Sequence, residues 1–247
     1  MQAIILAAGL GTRMKPVTDK VPKALVPVNT GHGVQKPMLE LLLDKLALQG
    51  FTHIVVNVHH FAGQIRTFIS DYLERKELSL HICLSDETDL LRDTGGALRK
   101  ARALLDPSQP FLIHNVDIIS DIDAARLVAC HQATDSLATL VVSQRDTPRQ
   151  FLFDDRWRLA GWTNTMTGQV RRVAGHSPAQ ACHTRAFAGI HVMSQAVMPL
   201  MDTWPEVFSV IDFYLEQAGT HTVRGVEIPG LRITDIGKPE SLRNITL

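Results

Sequence analysis

The sequence lacks what a membrane span, a nucleic-acid surface or a disulfide framework requires. No apolar run approaches the ~20 residues that cross a bilayer. Lysine plus arginine equal aspartate plus glutamate, 25 against 25. There is no basic excess of the kind that holds a polymeric nucleic acid. Any anion must therefore be met by a local cluster of cations, which suits a small ligand. Cysteine is scarce: Cys83, Cys130 and Cys182 lie far apart, form no CxxC pair and give no zinc spacing. Idle thiols in a reducing cytosol are the expectation. The N-terminus runs directly into an apolar segment with no charged n-region or cleavage site, so a cytoplasmic location is expected. Oligomeric state leaves no trace in the chain.

Two common glycine motifs are also missing. Residues 4–16 read Ile-Ile-Leu-Ala-Ala-Gly-Leu-Gly-Thr-Arg-Met-Lys-Pro, with Pro22-Lys23 shortly after. A dinucleotide fingerprint would need a third glycine where Met14 stands. A P-loop would end in Gly-Lys-Ser/Thr, and none is present. What is there is an apolar run that breaks into glycines, followed by Arg13, Lys15, Lys20 and Lys23. Glycines let backbone N–H groups approach phosphate oxygens, and the cations neutralise charge, so this order predicts a polyphosphate site.

The 247 residues, 45% of them hydrophobic, suffice for one domain over 1–247. Apolar segments alternate in type up to about residue 145. Residues 3–8, 53–58, 80–84, 111–114 and 137–142 read as strands. Residues 38–48, 62–73, 97–105 and 124–131 carry helical spacing. Such alternation predicts an α/β fold, a mostly parallel sheet with helices on both faces. Ligands of such sheets bind beyond the carboxyl ends of the strands, where the glycine loop falls. From 149 to 185 the pieces shorten into antiparallel ribbons, expected to form a substrate-side insertion or lid. Residues 187–193 return to strand, 207–218 to helix and 231–236 to strand, before a helix opened by Pro239.

Four elements could carry chemistry. The first is the glycine loop. The second is Phe111-Leu-Ile-His-Asn-Val-Asp117, an apolar run ending in an aspartate. Asp121 and Asp123 follow it and suit capping of the next helix. The third is Ile233-Thr-Asp235-Ile-Gly237. Two carboxylates from distant strands can share one hard cation that keeps water and phosphate oxygens as further ligands. The fourth is Asp93-Thr94-Gly95-Gly96 at the mouth of a helix, where a glycine pair can accept a flat ring or an anion and Thr94 could cap. His59-His60 closes the second strand. Adjacent strand residues face opposite ways, so the pair reads as structural rather than metal-binding.

Leu-Ala-Ala-Gly-x-Gly-Thr-Arg-Met-x-Pro with a downstream Pro-Lys-Ala-Leu resembles the signature of the sugar-1-phosphate nucleotidylyltransferases. In length and in its Leu-x-Asp-Thr-Gly-Gly segment the chain is similar to short bacterial members such as the N-acetylmuramate-1-phosphate uridylyltransferases. The resemblance implies a Rossmann-like three-layer α/β/α fold with a small antiparallel ribbon lid. It implies Mg2+-dependent nucleotidyl transfer from an NTP to a sugar-1-phosphate, releasing pyrophosphate. Arg13 and Lys23 would be catalytic, and Asp117 and Asp235 would hold the metal. Leu6, Ala8, Gly9, Gly11, Thr12, Glu87, Gly95 and Gly96 would meet the nucleotide, with Glu87 reading the base edge. Asn164 and Gly189 would approach the sugar phosphate. Many members carry a ribbon lysine that grips this phosphate. Here that stretch is Leu159-Ala-Gly-Trp-Thr-Asn164, which leaves Arg171, Arg172 or Arg185 as replacements. Sugar and base stay open, as do a non-sugar cytidylyltransferase and a non-catalytic sugar-nucleotide-binding module.

Overall fold

Strand propensity is strongest where both faces of a strand are apolar, and β1 shows the consequence. Ala3 and Ile5 point into one hydrophobic layer, Ile4 into the other, and β1 lies inside the sheet between two parallel neighbours. The computed structural model describes residues 1–30, 34–76, 79–175 and 183–237. In chain order the elements are β1 (Gln2–Leu6), β2 (Pro27–Asn29), β3 (Gln35–Pro37), α1 (Met38–Leu48), β4 (His53–Val58), α2 (Ala62–Arg75), β5 (His81–Asp86) and α3 (Asp93–Ala101). There follow β6 (Phe111–Asn115), β7 (Ile118–Ser120), α4 (Ala124–Gln132), β8 (Ala138–Ser143), β9 (Arg149–Phe153), β10 (Leu159–Asn164), β11 (Gln169–Arg172) and β12 (His183–Met193). Last come α5 (Val197–Met201), α6 (Val210–Gln217), β13 (Val223–Glu227) and β14 (Ile233–Asp235).

The main sheet runs β11-β10-β9-β12-β6-β1-β4-β5, with β8 on β12 and β13 on β8. β6, β1, β4 and β5 are parallel, and β12 enters antiparallel. Buried residues of α1, α2 and α4 pack one face, those of α3, α5 and α6 the other. The expected three-layer α/β architecture is therefore present. The ribbon is not a separate flap. β12 is 11 residues long; its later half pairs β6 and its first half pairs β9, so the ribbon continues the main sheet.

Several boundaries move. The helix expected to begin at residue 97 starts at Asp93 and takes in the glycine pair. β4 ends at Val58, so His59 and His60 follow the strand rather than close it; His59 Nδ1 pairs with the Glu87 carbonyl at 2.6 Å. Asp123 caps α4 as expected, accepting from Arg126 N at 2.8 Å. Asp121 does not cap: it accepts from the backbone and guanidinium of Arg232. Pro239 and Cys182 lie outside the described residues. Elements without a clear periodic signal also appear: β7, α5, β13 and the β2–β3 hairpin.

Candidate active site

β1 delivers the chain to the carboxyl edge of the sheet, and the glycine loop begins there. Gly11 has φ +64°, and a Cβ on it would lie 2.7 Å from Thr18 Cγ2. The Thr18 hydroxyl donates to the Gly11 carbonyl at 2.8 Å. This glycine is required for the turn itself. Gly9 is different: a Cβ there would meet nothing within 4 Å. Its bare backbone faces open space, where a ligand can approach.

That space is a cavity of about 470 Å3, within the range of small-molecule sites. The glycine loop (Ala8, Gly9), the start of α3 (Asp93, Thr94) and Lys23, Asn115 and Asp117 all line it. Asp93 adopts φ +56° at its rim, a conformation that only a few residue types tolerate.

A strand pairing brings a second acidic residue, Asp235, to Asp117. β14 lies antiparallel to β7 with Asp235 opposite Ile118, and Ile236 N donates to the Asp117 carbonyl at 2.9 Å. Gly237 sits between them. A Cβ on Gly237 would lie 2.9 Å from each of Arg13 Nη2, Asp117 Oδ2 and Asp235 Oδ1. The guanidinium and both carboxylates thus surround one point, each pair separated by at most twice that distance. Lys23 Nζ pairs with Asp117 Oδ2, and Arg145 Nη1 lies 3.7 Å from Asp235 Oδ2. Arg13, Lys23, Asp117 and Asp235, some 220 residues apart at the extremes of the sequence, form one cluster. Two carboxylates with no nitrogen or sulfur donor between them suit a small hard cation.

Other residues picked out in the sequence fall elsewhere. Gly95 and Gly96 do not line the cavity. A Cβ on Gly95 would lie 2.3 Å from the Phe208 ring, one on Gly96 2.3 Å from the Glu206 carbonyl. Both amides donate to the Phe208 carbonyl, at 2.9 and 3.3 Å. The pair exists so that α3 can pack on residues 206–208. Thr94 does not cap α3 either; its hydroxyl accepts from Val210 N at 3.0 Å. Glu87 borders the cavity but is fully buried. Its Oε1 accepts from Asn57 Nδ2 at 2.9 Å and its Oε2 from Arg92 N at 3.1 Å, so each oxygen already has a protein partner. Thr12 is exposed in the short helical turn after the loop. Asn164 ends β10 and accepts from Met166 N at 3.1 Å, closing the ribbon turn. Gly189, at φ +74°, lets Asn115 pass where a Cβ would meet it at 2.7 Å; it shapes the cavity through Asn115.

The ribbon arginines are also spoken for. Arg171 pairs with Asp212 at 2.5 Å, Arg185 with Glu227 at 3.0 Å. Arg145, which no motif marked, is the cation beside Asp235. The second unmarked residue is Asn57. Its Oδ1 accepts from Ala7 N at 2.6 Å and Ala8 N at 3.3 Å, so β4 and the buried Glu87 hold the start of the glycine loop. A lone amide inside Val-Val-Asn-Val was the available signal, because a buried polar group must find partners.

Comparison with known proteins places the chain in a family. A family model described as nucleotidyl transferase matches residues 2–151. Mannose-1-phosphate guanyltransferase beta-A of Xenopus laevis is 27% identical over 244 residues, covering 97% of this chain and 62% of that protein. N-acetylmuramate alpha-1-phosphate uridylyltransferase of Caulobacter vibrioides is 40% identical over 117 residues, 47% of this chain and 46% of that one. Among solved structures, UDP-glucose pyrophosphorylase from Acinetobacter baumanii superposes with a TM-score of 0.74 at 16% identity, over 98% of this chain and 90% of its own. The chain spans about 62% of the length of the first of these relatives. With the family match running over more than half of its residues, the chain belongs to the nucleotidyl transferase family.

Proposed function

We propose that the chain transfers a nucleotidyl group from an NTP to a sugar-1-phosphate, giving an NDP-sugar and pyrophosphate, with Mg2+ as cofactor. The observation that carries the reading is the convergence of Arg13, Asp117 and Asp235 around Gly237, with Asp117 lining the same cavity as the glycine loop. The relatives named as sugar-1-phosphate guanyl- and uridylyltransferases support the substrate class.

The nucleophile is a phosphate oxygen, already an anion at neutral pH, so no general base is required. Positioning and charge neutralisation must then supply the rate. In this reading Gly9 brings the loop backbone against the nucleotide, and Asn57 fixes that loop. Arg13 receives the charge that develops on the departing pyrophosphate. Lys23 exchanges its pairing with Asp117 for the α-phosphate and the incoming sugar phosphate. Asp117 and Asp235 hold the magnesium, which when bound supplies charge neutralisation at the phosphate oxygens. Arg145 stands beside Asp235, where it can supply the cation that the ribbon lacks. Residues 1–247 act as a single domain in the cytoplasm, where the scattered thiols stay reduced.

Pyrophosphate release measured with Mg2+, each NTP and a panel of sugar-1-phosphates and non-sugar phosphates tests this. Turnover is expected with at least one pair. Arg13→Ala, Asp117→Ala and Asp235→Ala should each lose about 100-fold or more in kcat/KM with unfolding midpoints retained, as for loss of a preorganised charge-stabilising group. Turnover only with CTP and a non-sugar phosphate would reassign the substrate. No turnover with any pair, alongside tight binding of a sugar nucleotide, would leave a binding module.

A further inference from the structure

At the opposite end of the same sheet lies a cluster that nucleotidyl transfer does not use. His53 opens β4, and His81 opens β5 directly beside it in register. Cys83, two residues on, points to the same face of β5 as His81. The His81 Nε2–Cys83 Sγ distance is 3.1 Å, and the two imidazole rings stack 5.2 Å apart at 17°. One ligand atom from each of the three residues lies within 4.8 Å of the others, the one such trio of His, Cys, Asp and Glu among the described residues. We propose that His53, His81 and Cys83 form a binding site for Zn2+, with the fourth position left to water.

Three features favour this over a chance grouping. The donors are two imidazoles and one thiol, a borderline-soft set that selects zinc and disfavours the hard magnesium of the nucleotide cavity. Zinc holds sulfur at about 2.3 Å and nitrogen at about 2.1 Å. A tetrahedral angle then sets the N···S separation at roughly 3.6 Å, so His81 and Cys83 need to open by only about half an ångström. His53 is also oriented as a ligand would be. Its Nε2 lies 2.6 Å from the Leu104 carbonyl. A carbonyl only accepts, so Nε2 carries the proton and Nδ1 keeps its lone pair, the arrangement by which an outer hydrogen bond fixes a ligating imidazole.

The position also sets what the site would do. β5 is the outermost strand at this end of the sheet order, and His81 is exposed while His53 and Cys83 are half-buried, so an ion can enter from solvent. Bound there, it would tie the edge strand to β4 and, through Leu104, to the turn after α3. Five residue steps along β4 separate His53 from the end nearest the glycine loop, about 16 Å at strand rise. The metal would therefore stabilise the fold without entering the reaction. An SH hydrogen bond from Cys83 to His81 is the arrangement the experiment must set aside.

The test uses the full chain, stripped of metal and titrated with Zn2+ against a chromophoric chelator, with Co2+ as a spectroscopic probe. Expected are one Zn2+ per chain, a rise in Tm on loading and a thiolate-to-Co2+ absorption band. Cys83→Ser should abolish the band, and Cys83→Ser and His81→Ala should each weaken Zn2+ binding about tenfold or more. His81 is exposed, so its variant keeps the core intact. Asp117→Asn should retain both Zn2+ binding and the band, which separates this site from the nucleotide cavity. Failure of the chain to compete for Zn2+, or unchanged stoichiometry and affinity in Cys83→Ser, overturns the assignment.

Discussion

Removing the Asn57 side chain should loosen the glycine loop from behind. Asn57 is 3% exposed, and Ala7 and Ala8 are 3% and 4% exposed. Asn57→Ala leaves the Ala7 N–H, the Ala8 N–H and Glu87 Oε1 each short of a partner. A buried unsatisfied group costs about 1–3 kcal/mol. The adjacent cavity lets water reach part of this network, which argues for the low end of each figure, and Ala8 N contributes least because its bond is long. The sum is a loss of about 2–4 kcal/mol in unfolding free energy. Urea unfolding should show a lower midpoint with an unchanged slope, because no additional surface is exposed in either state. The KM for the nucleotide should rise in step, since the loop amides lose their anchor. Asn57→Asp divides the effect. It keeps an acceptor for the loop but sets a second carboxylate against Glu87. That variant should recover part of the nucleotide KM while staying less stable than wild type, because two carboxylates at hydrogen-bond distance repel. A stability change under about 0.5 kcal/mol for Asn57→Ala, the range of an ordinary surface substitution, would refute the view that this amide holds the loop.

Two other outcomes follow from the same structure. Gly9→Ala meets nothing within 4 Å, whereas Gly95→Ala drives a methyl to 2.3 Å from Phe208. The first should raise nucleotide KM with stability intact, and the second should cost about 1–3 kcal/mol by overpacking with KM little changed; the reverse pattern, read by urea unfolding and initial rates, would restore Gly95 to the nucleotide site. Burial pushes His114 and His131 down to about 4 and His191 down to about 3. All three stay neutral in the fold while the unfolded chain takes up protons below its ordinary value, so their contribution is complete above about pH 6.5 and is lost as pH falls toward the folded values. At about pH 5.5 each has cost on the order of 1 kcal/mol, and the three together a few kcal/mol. Tm followed from pH 7.5 to 5 should fall accordingly, and His114→Gln should flatten the slope; a level Tm across that range would show that the histidines are hydrated.

The elements that were legible in the sequence share one property: their signal is local. Met38–Leu48 and His53–Val58 have the expected bounds because leucine spacing and a two-sided apolar run each speak within a few residues. Asp117 could be picked out because it follows an apolar run, and Asp235 because its Asp-x-Gly segment resembles that of the family. What brings them together is the pairing of three-residue β14 with three-residue β7, too short to register as periodicity. Arg145 shares this invisibility. It follows β8 as one more surface arginine, and only the return of β12 and β14 places its guanidinium near Phe187 O and Asp235.

Glycine shows most sharply why a motif underdetermines a site. Gly9, Gly11, Gly95, Gly189 and Gly237 all belong to stretches that read as ligand-binding, and each is a glycine for a different reason. Gly9 borders open space. Gly11 turns the chain against Thr18. Gly95 admits Phe208, Gly189 admits Asn115, and Gly237 admits an arginine and two carboxylates. The missing Cβ is the same in every case, so residue type and spacing carry no information about what fills its place. That depends on long-range pairing, which brings Phe208 to Gly95 and Asp117 to Gly237 across more than a hundred residues. A glycine that faces emptiness marks where a substrate can come close. A glycine that faces protein marks where two parts of the chain had to. The cavity is bounded by the first kind at Gly9, and the charged cluster beside it is assembled by the second kind at Gly237.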